Sequence, residues 1–263
     1  GQGGFSMPVI QGKPPVTTEW AHISSRFTGL DTLRGFTLIS MILYHICYNL
    51  VYIFHIPLPW YHTIGAHLWQ LSICCTFLLL AGVCTHFTRR PVQRALRIGA
   101  AALAVTIVTY IFMPRELIVF GILHCMTWCL FSYAALEKLL RRVPPKFGLI
   151  CSVLLFFATF HVPQKYLLYQ PFAIPLPQQW YLSYWLSIFG FISPDFFSAD
   201  YFPIFPYIFL FFAGHFLGYQ LYRLPKGIKD FSIRPLEFLG RHSLLVYLLH
   251  QPVVYGIMLF VFP

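Results

Sequence analysis

Charge is the first thing this sequence lacks. Only 10% of its 263 residues are charged, and eight are acidic against 18 Lys and Arg. A soluble domain carries about a quarter of its residues as charges, so a water-soluble globule is excluded. Disorder, collagen and coiled coil fall as well, because 58% of the chain is hydrophobic, 19% is aromatic and no short period repeats. A disulfide framework is also missing. The seven cysteines (Cys47, Cys74, Cys75, Cys84, Cys125, Cys129 and Cys151) are odd in number and all lie inside apolar stretches. No longer internal repeat is visible, so a transporter built on inverted repeats gains no support. No cleavable signal precedes the first apolar stretch, which is therefore expected to act as an anchor. Gly1–Ser6 reads as a vector-derived leader before Met7.

What is present is the pattern of an all-α, polytopic transmembrane bundle. A span needs about 20 apolar residues to cross roughly 30 Å of hydrocarbon. Gly35–Phe54, Ile64–Cys84, Ile98–Met113, Leu117–Leu136, Phe147–Val162, Ile204–Tyr222 and Leu244–Phe262 meet or approach that length, which predicts seven spans. Between the fifth and sixth lies a Pro-rich aromatic connection, Pro163–Pro203. Its apolar stretch Trp180–Ser193 is short for a crossing and is expected to lie in the interface or re-enter, with an eighth span as the alternative. Residues 1–25 form a tail and 26–263 the bundle.

The net charge of +10 follows topology rather than nucleic-acid binding. Basic residues cluster in alternate connections. Arg26 and Arg34 precede the first span, and Arg89, Arg90, Arg94 and Arg97 precede the third. Lys138, Arg141, Arg142 and Lys146 lie between the fourth and fifth, and Arg223, Lys226, Lys229, Arg234 and Arg241 between the sixth and seventh. The other connections hold only Arg115 and Lys165. Seven spans with a cytosolic N-terminus put every cluster on the inner side, as the positive-inside rule requires.

Ionisable groups inside spans are costly and mark candidate sites. His45 follows Arg34 by eleven residues, which places it ~16 Å from the inner edge at 1.5 Å per residue. The same count puts His250 at ~13 Å and His124 at ~20 Å, so three helices bring histidines into one slab. Such a cluster suits proton transfer. A lone histidine in a span is more often a neutral donor to a neighbouring carbonyl, and His86 and His215 are read that way. At the outer face, His55, Trp60, Tyr61, His62 and His67 follow the first span, and Asp195 and Asp200 lie in the Pro-rich connection. Arg89, Arg90, Arg94 and Arg97 satisfy the topology rule alone, yet their planar forks also suit phosphoryl oxygens. Arg94 and Arg97, one turn apart, are placed to grip one group together. Asp31 and Arg34 read as a local ion pair or as a lid to the bundle.

Four segments carry a resemblance. LDTLRGFTLISMILYH at Leu30–His45, FGILHC at Phe120–Cys125, DYFPIFPY with AGHFLG across Asp200–Gly218, and LGRHSLLVYLLHQP at Leu239–Pro252 run in order through the chain. Together they resemble the heparan-α-glucosaminide N-acetyltransferase catalytic-domain family, within the wider transmembrane acyltransferase superfamily. The length looks like that of the small bacterial members, which implies a multi-pass protein of the bacterial plasma membrane.

The resemblance implies transfer of an acetyl group from cytosolic acetyl-CoA to an amine or hydroxyl of an extracytoplasmic sugar or glycan. No metal is expected, because the consecutive His124 and Cys125 point about 100° apart on a helix and share no face. A homodimer is a further implication of the family. In larger members the active-site histidine falls beside His55, while distant superfamily members carry it at the position of His45. His45 is therefore the expected general base and His55 the second choice, with His124 and Asp200 orienting it or touching the acceptor. Arg94 and Arg97 resemble the superfamily's paired arginines. With Arg34, Arg89, Arg90 and Arg241 they form the expected CoA contacts, and His62 and His250 the expected acceptor contacts. The charge pattern alone equally suits a proton-coupled transporter or a lipid-handling protein.

Overall fold

Among the described residues seven long helices dominate, and the fold is 75% helical. The computed structural model describes residues 27–224 and 230–262. The tail 1–25, Arg26, Lys226 and Lys229 lie outside those residues. In chain order the helices are α1 Thr28–Tyr48, α2 Ile64–Val83, α3 Pro91–Phe112, α4 Ile122–Leu140, α5 Pro145–Thr159, α6 Ile204–Tyr222, the short α7 Arg234–Arg241, and α8 Ser243–Val261. α1 runs on into a π-helical turn at Asn49–Ile53.

Helix boundaries follow caps more closely than hydropathy. α3 and α5 begin with Pro91 and Pro145 at their first positions, where a missing N–H costs nothing. The third span therefore starts seven residues before the charge-free window at Ile98, and Arg94 and Arg97 lie on the helix rather than before it. α4 starts at Ile122 instead of Leu117, because Leu117–Phe120 form an irregular connection that bends at Val119 and Phe120.

Six of the long helices, all but α4, are long and apolar enough to cross a membrane. α4 carries Glu137 and Lys138 near its end and sits inside the bundle, with Cys125, Cys129 and Leu130 wholly buried. A helix shielded by protein needs less hydropathy than one facing lipid. The outer surface shows the converse: Phe260 is 90% and Phe112 75% exposed, as expected of side chains that face hydrocarbon.

Trp180–Ser193 does not form an eighth span. It folds as two short 3-10 turns, Gln178–Leu182 and Tyr184–Phe189. The same connection holds a minimal antiparallel ladder that pairs Tyr166 with Pro175 and Leu167 with Ile174.

α6 is central, packing on α2, α4 and α5, while α3 packs on α4 and α1 packs on α2, α7 and α8. The α2–α6 contact is backbone against backbone. A Cβ on Gly82 would lie 2.0 Å from the Phe211 carbonyl oxygen, and one on Gly214 2.2 Å from that of Leu79. Small residues are the usual device for such close approach in membranes, where burial from water does not drive helices together.

Candidate functional site

α1 carries polar groups at three levels. At its first turns Arg34 donates from Nη1 to Asp31 Oδ1 at 2.8 Å and to the Gly240 carbonyl at 3.4 Å, and from Nη2 to Cys84 Sγ at 2.9 Å. Arg94 approaches the same residue from α3. Its Nη1 donates to Thr88 Oγ1 at 3.0 Å and to the Cys84 carbonyl at 3.5 Å. Two half-buried guanidinium groups from different helices therefore meet at the end of α2. The expected Arg94–Arg97 grip is not what forms: Arg97 stays exposed, as do Arg89 and Arg90, the latter reaching Gln93. Arg241 is exposed and pairs with Glu237 on its own helix.

Eleven residues further along α1, the His45 ring meets His250 of α8 edge-on, with centroids 4.6 Å apart. Each histidine bonds its own helix. His45 Nδ1 lies 2.9 Å from the Met41 carbonyl and His250 Nδ1 2.5 Å from that of Tyr247. A carbonyl only accepts, so both Nδ1 atoms carry the proton and both Nε2 atoms keep a lone pair. His250 Nε2 is buried and receives no hydrogen bond.

The third level is a cavity of about 480 Å³ at the far end of α1. Tyr44, Tyr48, Tyr52 and Tyr61 form one wall, and His62, His67, Gln70, Arg115 and Glu116 add polar groups. Tyr48 donates to Glu116 Oε2 at 2.5 Å, which ties α1 to the turn after α3. The Tyr48 ring also lies 6.5 Å from that of His45, so the cavity wall adjoins the histidine pair. His62 lines the cavity as its sequence position suggests, but His55 does not. It is an exposed loop residue with φ of 54°.

His124 and Asp200 come together elsewhere. With α4 starting at Ile122, His124 sits in its first turn. Gly121 N–H donates to His124 Nδ1 at 3.3 Å, so the proton is on Nε2 and is given to Thr106 Oγ1 at 3.1 Å. Ile122 N–H donates to Asp200 Oδ2 at 3.3 Å. Both residues thus satisfy the open N–H groups at the start of a buried helix. Burial pushes the Asp200 carboxyl up to about 6, and the Ile122 hydrogen bond only partly opposes this.

A family model described as heparan-alpha-glucosaminide N-acetyltransferase, catalytic, matches residues 26–252. The chain belongs to that family. The match covers every helix from α1 to the middle of α8, and it agrees with the resemblance carried by the four segments. Membership makes this chain part of a membrane acetyltransferase family, one that uses acetyl-CoA as donor in general. No curated protein and no solved structure matches.

Sequence reasoning missed Tyr48, Asn49, Glu116 and Gln251. A signal existed for two of them. Asn49 is a second polar residue one turn beyond His45, and Glu116 is one of only eight acidic residues in the chain.

Proposed function

We propose that this member transfers an acetyl group from acetyl-CoA, docked from the cytosol at the Arg34–Arg94 end, to an amine or hydroxyl of an extracytoplasmic sugar or glycan seated in the tyrosine-lined cavity. The observation that carries the reading is the order of groups along α1: Arg34, then His45 ~16 Å away, then Tyr48 on the cavity wall. That separation is of the order of an extended pantetheine arm. The positive-inside rule puts the arginine end in the cytosol.

The residues at the arginine end suit a phosphorylated donor. Arg94 donates to the Thr88 hydroxyl and the Cys84 carbonyl and also meets the Cys84 side chain, none of them a carboxylate, so its charge is available to an anion, and Arg34 lies beside it. Charge-assisted bonds from planar guanidinium groups are the strong contacts for phosphoryl oxygens. Bound acetyl-CoA supplies an activated thioester carbonyl. His45 takes the proton of the attacking amine or hydroxyl at Nε2, because the Met41 carbonyl holds the proton at Nδ1 and fixes the ring. As the new N–C or O–C bond forms, the thioester C–S bond breaks and the CoA thiolate leaves with the proton that His45 took. At the cavity, aromatic faces and the Glu116–Arg115 pair orient a polar ring.

Calorimetry with detergent-purified protein tests the reading. Acetyl-CoA is expected to bind saturably, and Arg94→Ala to weaken it about tenfold or more, the loss of one bond to a charged group. Arg97→Ala is expected to stay within about twofold. A monodisperse protein that neither binds acetyl-CoA nor releases thiol in the presence of D-glucosamine overturns the reading and returns the transporter alternative.

A further inference from the structure

The tyrosine-lined cavity holds an arrangement of rings that acyl transfer does not call for. Three of its lining side chains, Tyr52, Tyr61 and His62, stand nearly perpendicular to one another. Tyr52 meets Tyr61 at 71° and His62 at 87°, Tyr61 meets His62 at 84°, and each pair of centroids is 6.2 Å apart. Three equally spaced perpendicular planes form the corner of a box. The point equidistant from such faces lies at the centroid spacing divided by the square root of two, about 4.4 Å from each ring, well inside the range over which an aromatic face attracts a cation. Tyr61 is 6% and Tyr52 48% exposed, so the corner is anchored on a buried ring and remains accessible.

A compact cation is the ligand that suits such a corner. Ring faces carry negative potential, and aromatic cages recognise quaternary ammonium groups. A trimethylammonium has no N–H, so rings replace its water without leaving a polar hydrogen bare. The same cavity holds one side chain of each full charge. Arg115 and Glu116 are consecutive, and Glu116 Oε2 accepts from Tyr48 at 2.5 Å. The carboxylate complements an ammonium, and the guanidinium complements a phosphate. A zwitterion satisfies both, and a volume of about 480 Å³ is that of a small-molecule site.

We infer that Tyr52, Tyr61 and His62 cage the trimethylammonium group of a choline phosphate, with Glu116 adding charge and Arg115 taking the phosphate. A quaternary nitrogen has no proton to lose and is no acyl acceptor. The ligand therefore competes with the acceptor for the cavity, and the inference stands apart from the acyl-transfer reading. The same chemistry comes in two forms, a soluble choline phosphate and the headgroup of a zwitterionic lipid.

The test is calorimetry on the full chain in a maltoside detergent, with choline phosphate, glycerol phosphate and dihexanoylphosphatidylcholine as probes. Choline phosphate is expected to bind saturably and at least tenfold more tightly than glycerol phosphate, which lacks the cation. Tyr52→Leu should weaken it about fivefold or more, the worth of one partly desolvated ring. Tyr52→Phe should match wild type, because the ring face and not the hydroxyl makes the contact. His62→Ala, at a second exposed position, should weaken binding likewise and keeps the test decisive if the Leu variant does not fold. Tighter binding of the short-chain lipid than of choline phosphate assigns the cage to a headgroup, and the reverse order to a soluble ligand; either result upholds the inference. Choline phosphate that fails to bind, or binds no better than glycerol phosphate, overturns it. Folded Tyr52→Leu and His62→Ala variants that bind like wild type overturn it as well. Acetyl-CoA consumption is not read here, so a protein that binds choline phosphate but transfers no acetyl group keeps the cage and loses only the acyl-transfer reading.

Discussion

Two pairs of histidines meet ring to ring in this bundle, at the same centroid distance and with opposite bonding. His86 and His215 stack nearly parallel at 4.6 Å and 8°, on the α2–α6 seam. His45 and His250 meet edge-on at 4.6 Å and 74°, on the α1–α8 seam. In the first pair the bonds cross between helices: His86 Nε2 donates to the His215 carbonyl at 2.7 Å, and His215 Nδ1 lies 2.7 Å from Thr85 Oγ1. In the second pair each ring bonds a carbonyl of its own helix. Each pair also leaves one buried Nε2 without a partner, on His215 and on His250, so an orphaned nitrogen does not separate them. What separates them is what the bonded nitrogen holds. A histidine bonded across a seam locks two helices together. One bonded within its own turn holds no other helix, and this pair adjoins the tyrosine-lined cavity through Tyr48.

The sharpest way to break this comparison is to remove one ring from each pair. His45→Ala is expected to lower the acetyl-transfer rate by roughly 10²–10⁴-fold, the usual worth of a general base, with little change in thermal stability. His215→Ala should do the reverse. It should cost about 2–4 kcal/mol through a cavity and lost cross-helix bonds, with the rate of the folded fraction close to wild type. Transfer rate and thermal unfolding of both variants check this. Equal rate losses with both proteins folded would make the two pairs one functional unit.

The sequence placed His45 and His250 at similar depth because both lie on helices that start at a basic cluster, so counting residues from a charge measures depth. Counting did not show what His124 meets. The apolar stretch Leu117–Phe120 reads like helix but is an irregular, bent connection that ends where Asp200, 78 residues away, receives the Ile122 N–H. A remote cap of that kind leaves no local pattern. The arginines failed for a related reason. The helical repeat shows that Arg94 and Arg97 share a face, but not that Cys84 lies between Arg94 and Arg34. The long helices and their order were legible from runs without charge, whereas contacts between them were not. Pro91 and Pro145 did announce the true starts of α3 and α5, and the charges just inside them hid that signal from a hydropathy window.

A second way to sharpen the comparison moves from the rings to the backbones behind them. At Gly82 any side chain meets the Phe211 carbonyl, while at Gly256 on α8 nothing lies within 4 Å of an added Cβ. Gly82→Val is therefore expected to cost about 3 kcal/mol or more, at the high end for overpacking because backbone rather than side chain must yield. Gly256→Ala should be neutral or stabilising by up to about 1 kcal/mol, the helix propensity gained. Denaturation midpoints of the two variants measure the difference. Equal costs would mean that the open side of α8 is as closed as the α2–α6 seam.

The smallest expected effect concerns the third site of histidine chemistry, where His124 and Asp200 hold the start of α4. With the Asp200 carboxyl at about 6 in the folded chain against 3.8 ordinarily, the folded state favours the protonated acid. Its contribution to stability is full below about pH 4 and is lost as pH rises through about 6. Asp200→Asn keeps an oxygen to accept the Ile122 N–H and removes the titration. The variant is therefore expected to be more stable than wild type at pH 8, by no more than about 3 kcal/mol, and to match it near pH 4. Thermal unfolding across pH 4–8 gives the two curves. Curves that stay parallel would show that Asp200 is charged in the folded bundle. Asp200 would then serve as an ionised group in the site rather than as a neutral cap, and the division between structural and functional polar clusters would have to be redrawn around α4.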